Sequence, residues 1–247
     1  MFPGLWAMGG KEQKLLRTRA SFSLAVLYGA LTTLEFLVED EGLDWERVTF
    51  SWSLKDELVY YPERLLESGR VEFYHSDVGD DVYRRYESGS ISFDVVLRPG
   101  FGDSSIRNLY RASIDLLMLD KELFRHRAVE TSLSGIEYMF IYLETGEVAM
   151  FEGERYRVRL PFVSSTANLH THPEKACGLS KPDVESALDL LVEGGLIAAS
   201  ATPSCVVYLV RVYMVSEDDY TRIKEALYYN RPIPASLKSL EYGVLGY

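Results

Sequence analysis

Two histidines, a serine and an aspartate stand in a spacing that suits metal chemistry. His170 and His172 are separated by one residue and followed by Pro173, and after six more residues come Ser180 and, two residues on, Asp183. On a β-strand the two imidazoles leave the same face. If Ser180 begins a helix, Asp183 lies in its first turn and directs its carboxylate toward the histidines. Two imidazoles and a carboxylate, with a fourth position left to water, form the ligand set of a catalytic Zn²⁺ site.

The serine and the aspartate also have a simpler interpretation. A serine followed three residues later by an acidic residue, ahead of an apolar-periodic run, is an ordinary capping box at the start of a helix. The His-x-His pair alone could be a packed or exposed surface pair. Neither interpretation explains why two of the four histidines in the chain stand together just before a predicted capped helix. The combination therefore favours a metal site.

This arrangement of two histidines, serine and aspartate resembles the signature of the JAMM (MPN+) metalloprotease family. The resemblance covers residues 104–230 and implies a cytidine-deaminase-like MPN β-sheet flanked by helices. It also implies that His170, His172 and Asp183 bind zinc, and that Ser180 lies near the reacting carbonyl. Cys177 stands where several members of the family carry a cysteine. Residues 1–100 lie outside the resemblance.

A catalytic member of the family also needs an upstream glutamate near the start of the first strand, ahead of a glycine. Glu130 is the first choice, although it stands five positions before Gly135 and the family pattern has seven. A shift of two residues keeps the same face of a strand. The alternative for Glu130 is a solvent-facing carboxylate at a strand edge. Glu137, two residues beyond Gly135, is the second candidate and is interpreted as a surface residue of the strand.

The resemblance implies a zinc-dependent metallopeptidase that hydrolyses a peptide or isopeptide bond, such as the bond joining a ubiquitin-like protein to lysine. Zinc lowers the pKa of a bound water from about 15.7 toward ~7. Glu130 would take the proton of that water and return it to the leaving amine, and Ser180 would donate to the oxyanion. Two alternatives remain open, namely a non-catalytic MPN-type interaction domain with a structural zinc, and a zinc amidase acting on a small molecule.

The sequence predicts a mixed α+β or α/β fold in two parts. The turn-forming run 98–103 marks a candidate boundary, which separates an accessory α+β module at 1–100, of unknown role, from the JAMM/MPN-like domain at 104–230 and a C-terminal tail at 231–247. Strand and helix patterns in the first part predict helices at 12–39 and 62–68 and strands at 48–54, 57–61, 71–75 and 90–97. In the second part they predict helices at 104–120, 181–193 and 217–229 and strands at 136–143, 148–151, 156–162, 166–172 and 205–215.

The charge and the hydropathy of the sequence indicate which kinds of partner the protein can have. The net charge of −11 argues against nucleic acid and leaves a protein substrate as the expected partner. The apolar stretch 24–38 is interrupted by Thr32, Thr33 and Glu35 and is too short to span a bilayer, so we expect a buried helix and no membrane association. The N-terminus does not resemble a secretory signal, which favours a cytoplasmic protein. The sequence leaves the oligomeric state open.

The chain has two cysteines, Cys177 within the motif loop and Cys205 before an apolar strand. They could form a disulfide that pins the loop, although intracellular disulfides are uncommon outside hyperthermophiles. The sequence reasoning favours the other interpretation, two unpaired buried thiols.

Overall fold

A computed structural model describes residues 13–155, 165–173 and 177–247 of the chain. It confirms a mixed α+β fold, with two β-sheets. The strands are β1 (Gln13–Leu16), β2 (Thr49–Phe50), β3 (Arg70–His75), β4 (Val82–Ser88), β5 (Ile91–Pro99), β6 (Ser104–Ser105), β7 (Ile136–Leu143), β8 (Val148–Arg155), β9 (Ser165–Thr171), β10 (Ile197–Ala201), β11 (Cys205–Arg211) and β12 (Leu240–Gly246). The α-helices are α1 (Arg19–Asp40), α2 (Trp52–Tyr60), α3 (Pro62–Ser68), α4 (Ile106–Leu117), α5 (Lys121–Ser134), α6 (Lys181–Val192) and α7 (Glu217–Tyr228).

The larger sheet has seven strands in the order β1-β8-β7-β9-β10-β11-β12. Its centre is β9, which pairs antiparallel with β7 and parallel with β10. The smaller sheet has the order β4-β5-β3-β2-β6. Because β9 carries the histidine motif, the larger sheet positions the candidate site, and both neighbours of β9 contribute residues to the same face.

The helix α1 joins the two sheets through one apolar core. It packs against β4 and β5 of the smaller sheet and against β7 and β9 of the larger one, and its core partners include Phe93 and Phe140. The sequence analysis considered this apolar segment too short to span a bilayer, but the 22 residues of α1 are long and apolar enough to do so. In the structure, however, 78% of its most apolar 18-residue stretch is buried inside the protein. The expectation of a buried helix is confirmed.

A buried ion pair also ties α1 to the larger sheet. Arg211 of β11 is 3% exposed and lies 2.8 Å from the Glu35 carboxylate of α1. The Tyr110 hydroxyl of α4 donates to the same carboxylate, and Arg211 donates to the Gly194 carbonyl at 2.8 Å. Removing one member of such a pair leaves a buried charge without compensation, so these contacts fix α1 and α4 relative to β11.

Several predicted elements differ from the structure. Strands are predicted at 48–54 and 57–61, but the structure has only the two-residue β2 there, followed by the helix α2. The backbone N–H of Trp52, in the first turn of α2, donates to the Asp103 carboxylate at 2.6 Å. The helix predicted at 12–39 begins only at Arg19, because Thr18 caps it and β1 precedes it. The strands β4 and β10 were not predicted. The sequence of β10, IAASA, is poor in strand-favouring residues. It forms a strand because it pairs with β9 on one side and with β11 on the other. The strand predicted at 156–162 lies outside the described residues.

The larger sheet extends beyond the predicted 104–230 unit at both ends. Strand β1 pairs with β8, and β12, in the region expected to be a tail, pairs with β11 over seven residues from Leu240 to Gly246. The sheet therefore includes chain from both flanks of the region that resembles the JAMM family.

Candidate metal centre and active site

The two motif histidines project from the same face of the larger sheet. His170 lies on β9, and His172 continues the strand by one residue, with its backbone N–H donating to the Ala201 carbonyl of β10 at 2.8 Å. Their Nε2 atoms are 2.7 Å apart. The expected strand is confirmed, and the period-two alternation of side chains brings both imidazoles to one point.

Helix α6 places the carboxylate of Asp183 against both imidazoles. The Asp183 N–H donates to the Ser180 hydroxyl at 3.3 Å, and the Ser180 N–H donates to Asp183 Oδ2 at 2.7 Å, which completes a capping box. Asp183 Oδ1 lies 3.1 Å from His170 Nε2, and Oδ2 lies 3.2 Å from His172 Nε2. The Asp183 carboxylate therefore belongs to both the helix cap and the triad, because the capping hydrogen bond from Ser180 holds it toward the two histidines.

The electrostatics of Asp183 favour its charged form. Partial burial raises the pKa of this carboxyl. Hydrogen bonds to His170 and His172, the charge of His170 and the Ser180 hydrogen bond outweigh burial and hold the pKa well below its ordinary value. A carboxylate that stays ionised is available as an anionic metal ligand, because ligands must be deprotonated to bind a cation.

The donor atoms fit a zinc ion. One ligand atom from each of His170, His172 and Asp183 lies within 4.8 Å of the others, and this is the one such group found in the part of the chain that the structure describes. Tetrahedral zinc with bonds of about 2.0–2.1 Å holds neighbouring ligand atoms roughly 3.3 Å apart. The two imidazole Nε2 atoms are 2.7 Å apart, and each lies 3.1–3.2 Å from a different oxygen of the Asp183 carboxylate. These contacts need to open by only tenths of an ångström to reach the tetrahedral spacing. Three protein ligands are the number found in catalytic zinc sites.

Glu137 lies on the same sheet face as this triad. Met139 of β7 stands opposite His170, and Ile141 stands opposite Asn168, so the register places Glu137 beside the His172 end of β9. Directly opposed strand residues on one face have Cβ atoms about 4.5–5.5 Å apart. Burial raises the pKa of the Glu137 carboxyl, the charges of His170 and His172 lower it, and Asp183 raises it, with a net upward shift. Glu137 is thus electrostatically coupled to all three triad residues.

The expectation that Glu130 lies on a strand is wrong. Glu130 is part of α5, which ends at Gly135 with φ 72°, a left-handed conformation that glycine adopts readily. Its carboxylate is 2.6 Å from Arg127 and 3.3 Å from His126, and its side chain is 37% exposed. The predicted shift of two residues along a strand therefore has no physical basis, because residues 121–134 follow helical periodicity.

The helix that carries Glu130 also packs on the other face of the sheet. Thr131 of α5 shares a hydrogen bond of 2.6 Å with the Thr171 hydroxyl, and Thr171, lying between the two motif histidines, points away from them. The structure therefore does not bring Glu130 together with the triad. The sequence signal that could have identified Glu137 is its position as an acidic residue in phase with Met139 and Ile141 on an otherwise apolar strand.

The Ser180 hydroxyl is compatible with both functions expected of it. As the helix cap, it accepts a hydrogen bond from the Asp183 N–H, and it is exposed. Among the described residues no hydrogen bond uses its proton. A hydroxyl can accept and donate at once, so capping leaves Ser180 able to donate to a substrate oxygen.

A pocket of about 210 Å³ opens beside the triad, between the sheet and α6. Glu137, His170 and Asp183 line one part of it. The remainder is lined by Met139, Asn168, Leu179, Pro182, Ser186, Ala187, Ala198 and Ala199. The candidate metal centre therefore borders a cavity large enough for a small substrate group.

Cys177 and Cys205 form a disulfide, which corrects the expectation of two unpaired thiols. Cys177 follows His172 in the loop that leads to Asp183, and Cys205 is the buried first residue of β11. The fold brings their Cα atoms to 6.1 Å, within the range of natural disulfides. The bond ties Cys177, which lies between His172 and Asp183 in the chain, to strand β11 of the larger sheet.

Substituting Cys177 with serine should lower the free energy of unfolding by about 3 kcal/mol, because loop closure over 28 residues restricts the unfolded chain. Urea unfolding of the oxidised protein and the variant measures the difference. Reducing agent should destabilise the wild type to a similar extent and leave the variant unchanged. An oxidised wild type no more stable than the variant would contradict the stabilising role.

Comparison of this chain with family models, with curated proteins and with solved structures gave no match. The resemblance to the JAMM family therefore stays a prediction that depends on the motif residues and their geometry.

Proposed function

We propose that this protein is a zinc-dependent hydrolase of peptide or isopeptide bonds, similar to JAMM metalloproteases. His170, His172 and Asp183 would hold the zinc, which when bound acidifies water and polarises a carbonyl oxygen. The element order from β7 to α7 is a hairpin whose first strand carries Glu137, then the His-x-His strand, a helix, two strands and a helix. This order supports an MPN-type sheet. A protein substrate such as a ubiquitin-like conjugate on lysine remains part of this proposal.

Glu137 replaces Glu130 as the proposed general base. Its carboxylate lines the pocket beside His170 and Asp183, and partial burial raises its pKa. A raised pKa brings a carboxylate closer to the value at which it both accepts and returns a proton efficiently near neutral pH. Glu137 would accept a proton from water and deliver it to the departing amine.

Ser180 is proposed to stabilise the oxyanion of the tetrahedral intermediate. Its hydroxyl is held at the N-terminus of α6 by the cap to Asp183, which fixes its distance from the triad. Donors arranged in advance toward developing charge lower the barrier of acyl transfer, and loss of one costs about 10²–10³-fold in rate.

The observation that carries the proposal is the joint placement of Glu137 and the triad on one sheet face, around one pocket. A structural zinc site is normally closed by four protein ligands, whereas a catalytic site keeps an open position beside a base. The three-ligand group with an adjoining carboxylate and cavity matches the catalytic type.

The direct test is hydrolysis by the zinc-loaded full-length protein. We expect about one zinc per chain by elemental analysis, and cleavage of either short peptides or a lysine-linked ubiquitin-like conjugate. A chelator should abolish cleavage, and added zinc should restore it. A protein that binds one zinc but cleaves none of these substrates would contradict the proposed activity, and a protein that binds no zinc under zinc-replete conditions would contradict the metal site as well.

A further inference from the structure

Asn168 is a buried polar residue beside the candidate metal centre. It lies two residues before His170 on β9, so its side chain leaves the same face of the sheet. It is 9% exposed, and no hydrogen bond reaches its amide from any described residue. A carboxamide offers two N–H donors and a carbonyl acceptor. The Asn168 amide atoms are not among the buried polar atoms that lack a partner, so the amide opens onto the pocket. A ligand group that covered it without hydrogen-bonding to it would cost about 1–3 kcal/mol.

The neighbouring strands cannot satisfy this amide. Ile141 of β7 and Ala198 of β10 stand directly opposite Asn168, and both are buried and apolar. Among the described residues, the space next to this amide is the pocket beside the triad, which Asn168 lines. A group that fills the pocket therefore displaces solvent from this amide and has to replace its hydrogen bonds.

A second polar group faces the same space. Ser186 of α6 lies three residues after Asp183 and lines the pocket, and none of the described residues hydrogen-bonds to its hydroxyl. The other walls away from the triad are apolar and small, with Ala187 and Ala198 among them. The pocket thus combines an apolar lining with two separate hydrogen-bonding sites.

Charge limits which groups the pocket can accept. Glu137 and Asp183 are acidic, and none of the described residues that line the pocket is a lysine or an arginine, so these carboxylates would repel an anionic group placed away from the proposed zinc. An aliphatic group would fit the alanines but leave Asn168 unpaired. A carboxamide is neutral, and its donors and acceptor match those of Asn168.

We infer that this pocket binds the carboxamide side chain of an asparagine or glutamine that flanks the bond to be cleaved, with Asn168 and Ser186 as the residues that select it. The inference rests on the proposed hydrolase function and adds a substrate class to it. A glycine or a leucine at that position offers the Asn168 amide no side-chain hydrogen bond. A glutamate there places a second negative charge beside Glu137.

Hydrolysis of a peptide set tests the selection. The set varies one residue on either side of the cleaved bond among Gln, Asn, Leu, Glu and Gly. For one of the two positions, the wild type should show a kcat/KM at least about tenfold higher with Gln or Asn than with Leu or Glu, since two hydrogen bonds are at stake. Asn168→Ala should reduce this ratio to within about twofold.

Matched variants control the comparison. Asn108→Ala removes an asparagine of α4, which hydrogen-bonds to Ser104 at 3.2 Å, and it should keep the wild-type preference. A preference unchanged by Asn168→Ala would overturn the inference.

A binding measurement separates this inference from the proposed activity. Titration of a glutamine-containing tripeptide amide should shift the Asn168 side-chain amide resonance, identified by its loss in Asn168→Ala, and a leucine-containing peptide should not. If no peptide is cleaved but this shift is seen, the hydrolase proposal fails and the pocket assignment stands. If peptides are cleaved without preference and the resonance does not respond, the pocket assignment fails alone.

Discussion

Replacing Glu137 with glutamine is expected to lower kcat/KM by about 10²–10⁴-fold, the usual contribution of a general acid–base residue, while zinc stays bound. The amide keeps the size of the side chain but cannot accept the proton of water. The carboxylate lines the pocket with His170 and Asp183, and its pKa responds to their charges. Elemental analysis and steady-state hydrolysis of the same preparation measure both results.

Glu130→Gln is the matched control for this substitution. It changes the same functional group on α5, where the carboxylate pairs with Arg127 and His126, on the opposite face of the sheet. We expect its kcat/KM to stay within about twofold of wild type, because exposed ion pairs contribute little. A large loss in Glu130→Gln with unchanged turnover in Glu137→Gln would reverse the assignment of the base.

Replacing His172 with alanine is expected to weaken zinc binding on the order of 10²–10³-fold and to abolish hydrolysis. Apparent zinc-binding free energies of about 10–16 kcal/mol in structural sites are shared among four ligands, so each ligand carries a substantial part. Competition with a chromogenic chelator measures the affinity. Since zinc stabilises the folded state in proportion to its binding, the thermal stabilisation on adding zinc should also disappear in this variant.

His126→Ala provides the control for the metal site. This imidazole is 70% exposed and contacts only Glu130 among the ion-pairing groups, so its loss should leave zinc affinity and the zinc-dependent rise in unfolding temperature unchanged. Equal zinc affinity in His172→Ala and wild type would remove His172 from the ligand set and leave the convergence of the triad without a metal-binding role.

Local patterns in the sequence were sufficient to predict that the side chains of His170, His172 and Asp183 converge. The His-x-His spacing and the capping box at Ser180 are short-range features, and each depends only on strand alternation or on the first turn of a helix. The structure places these elements as expected, in β9 and α6. The same locality explains why α3, β3, β5, β7 and α7 agree with their predicted positions to within a few residues.

The residues that long-range pairing positions could not be found in this way. Glu137 and Asn168 reach the site because β7, β9 and β10 pair in a particular register, and register depends on partners distant in sequence. The sequence analysis places Glu130 on a strand, but residues 121–134 form the helix α5. This helix packs on the sheet face opposite the triad, and that position depends on tertiary packing. The disulfide likewise depends on β11 carrying Cys205 to the motif loop.

The sequence by itself determined which groups could bind a metal, because ligand type and spacing are properties of adjacent residues. Only the tertiary structure decided which carboxylate stands beside these groups, which sheet face holds the pocket, and that the Asn168 amide opens into it. These depend on how strands from separate parts of the chain align, and on the apolar core around α1 that fixes both sheets. Burial and register are collective properties of the fold, and no single segment of sequence encodes them.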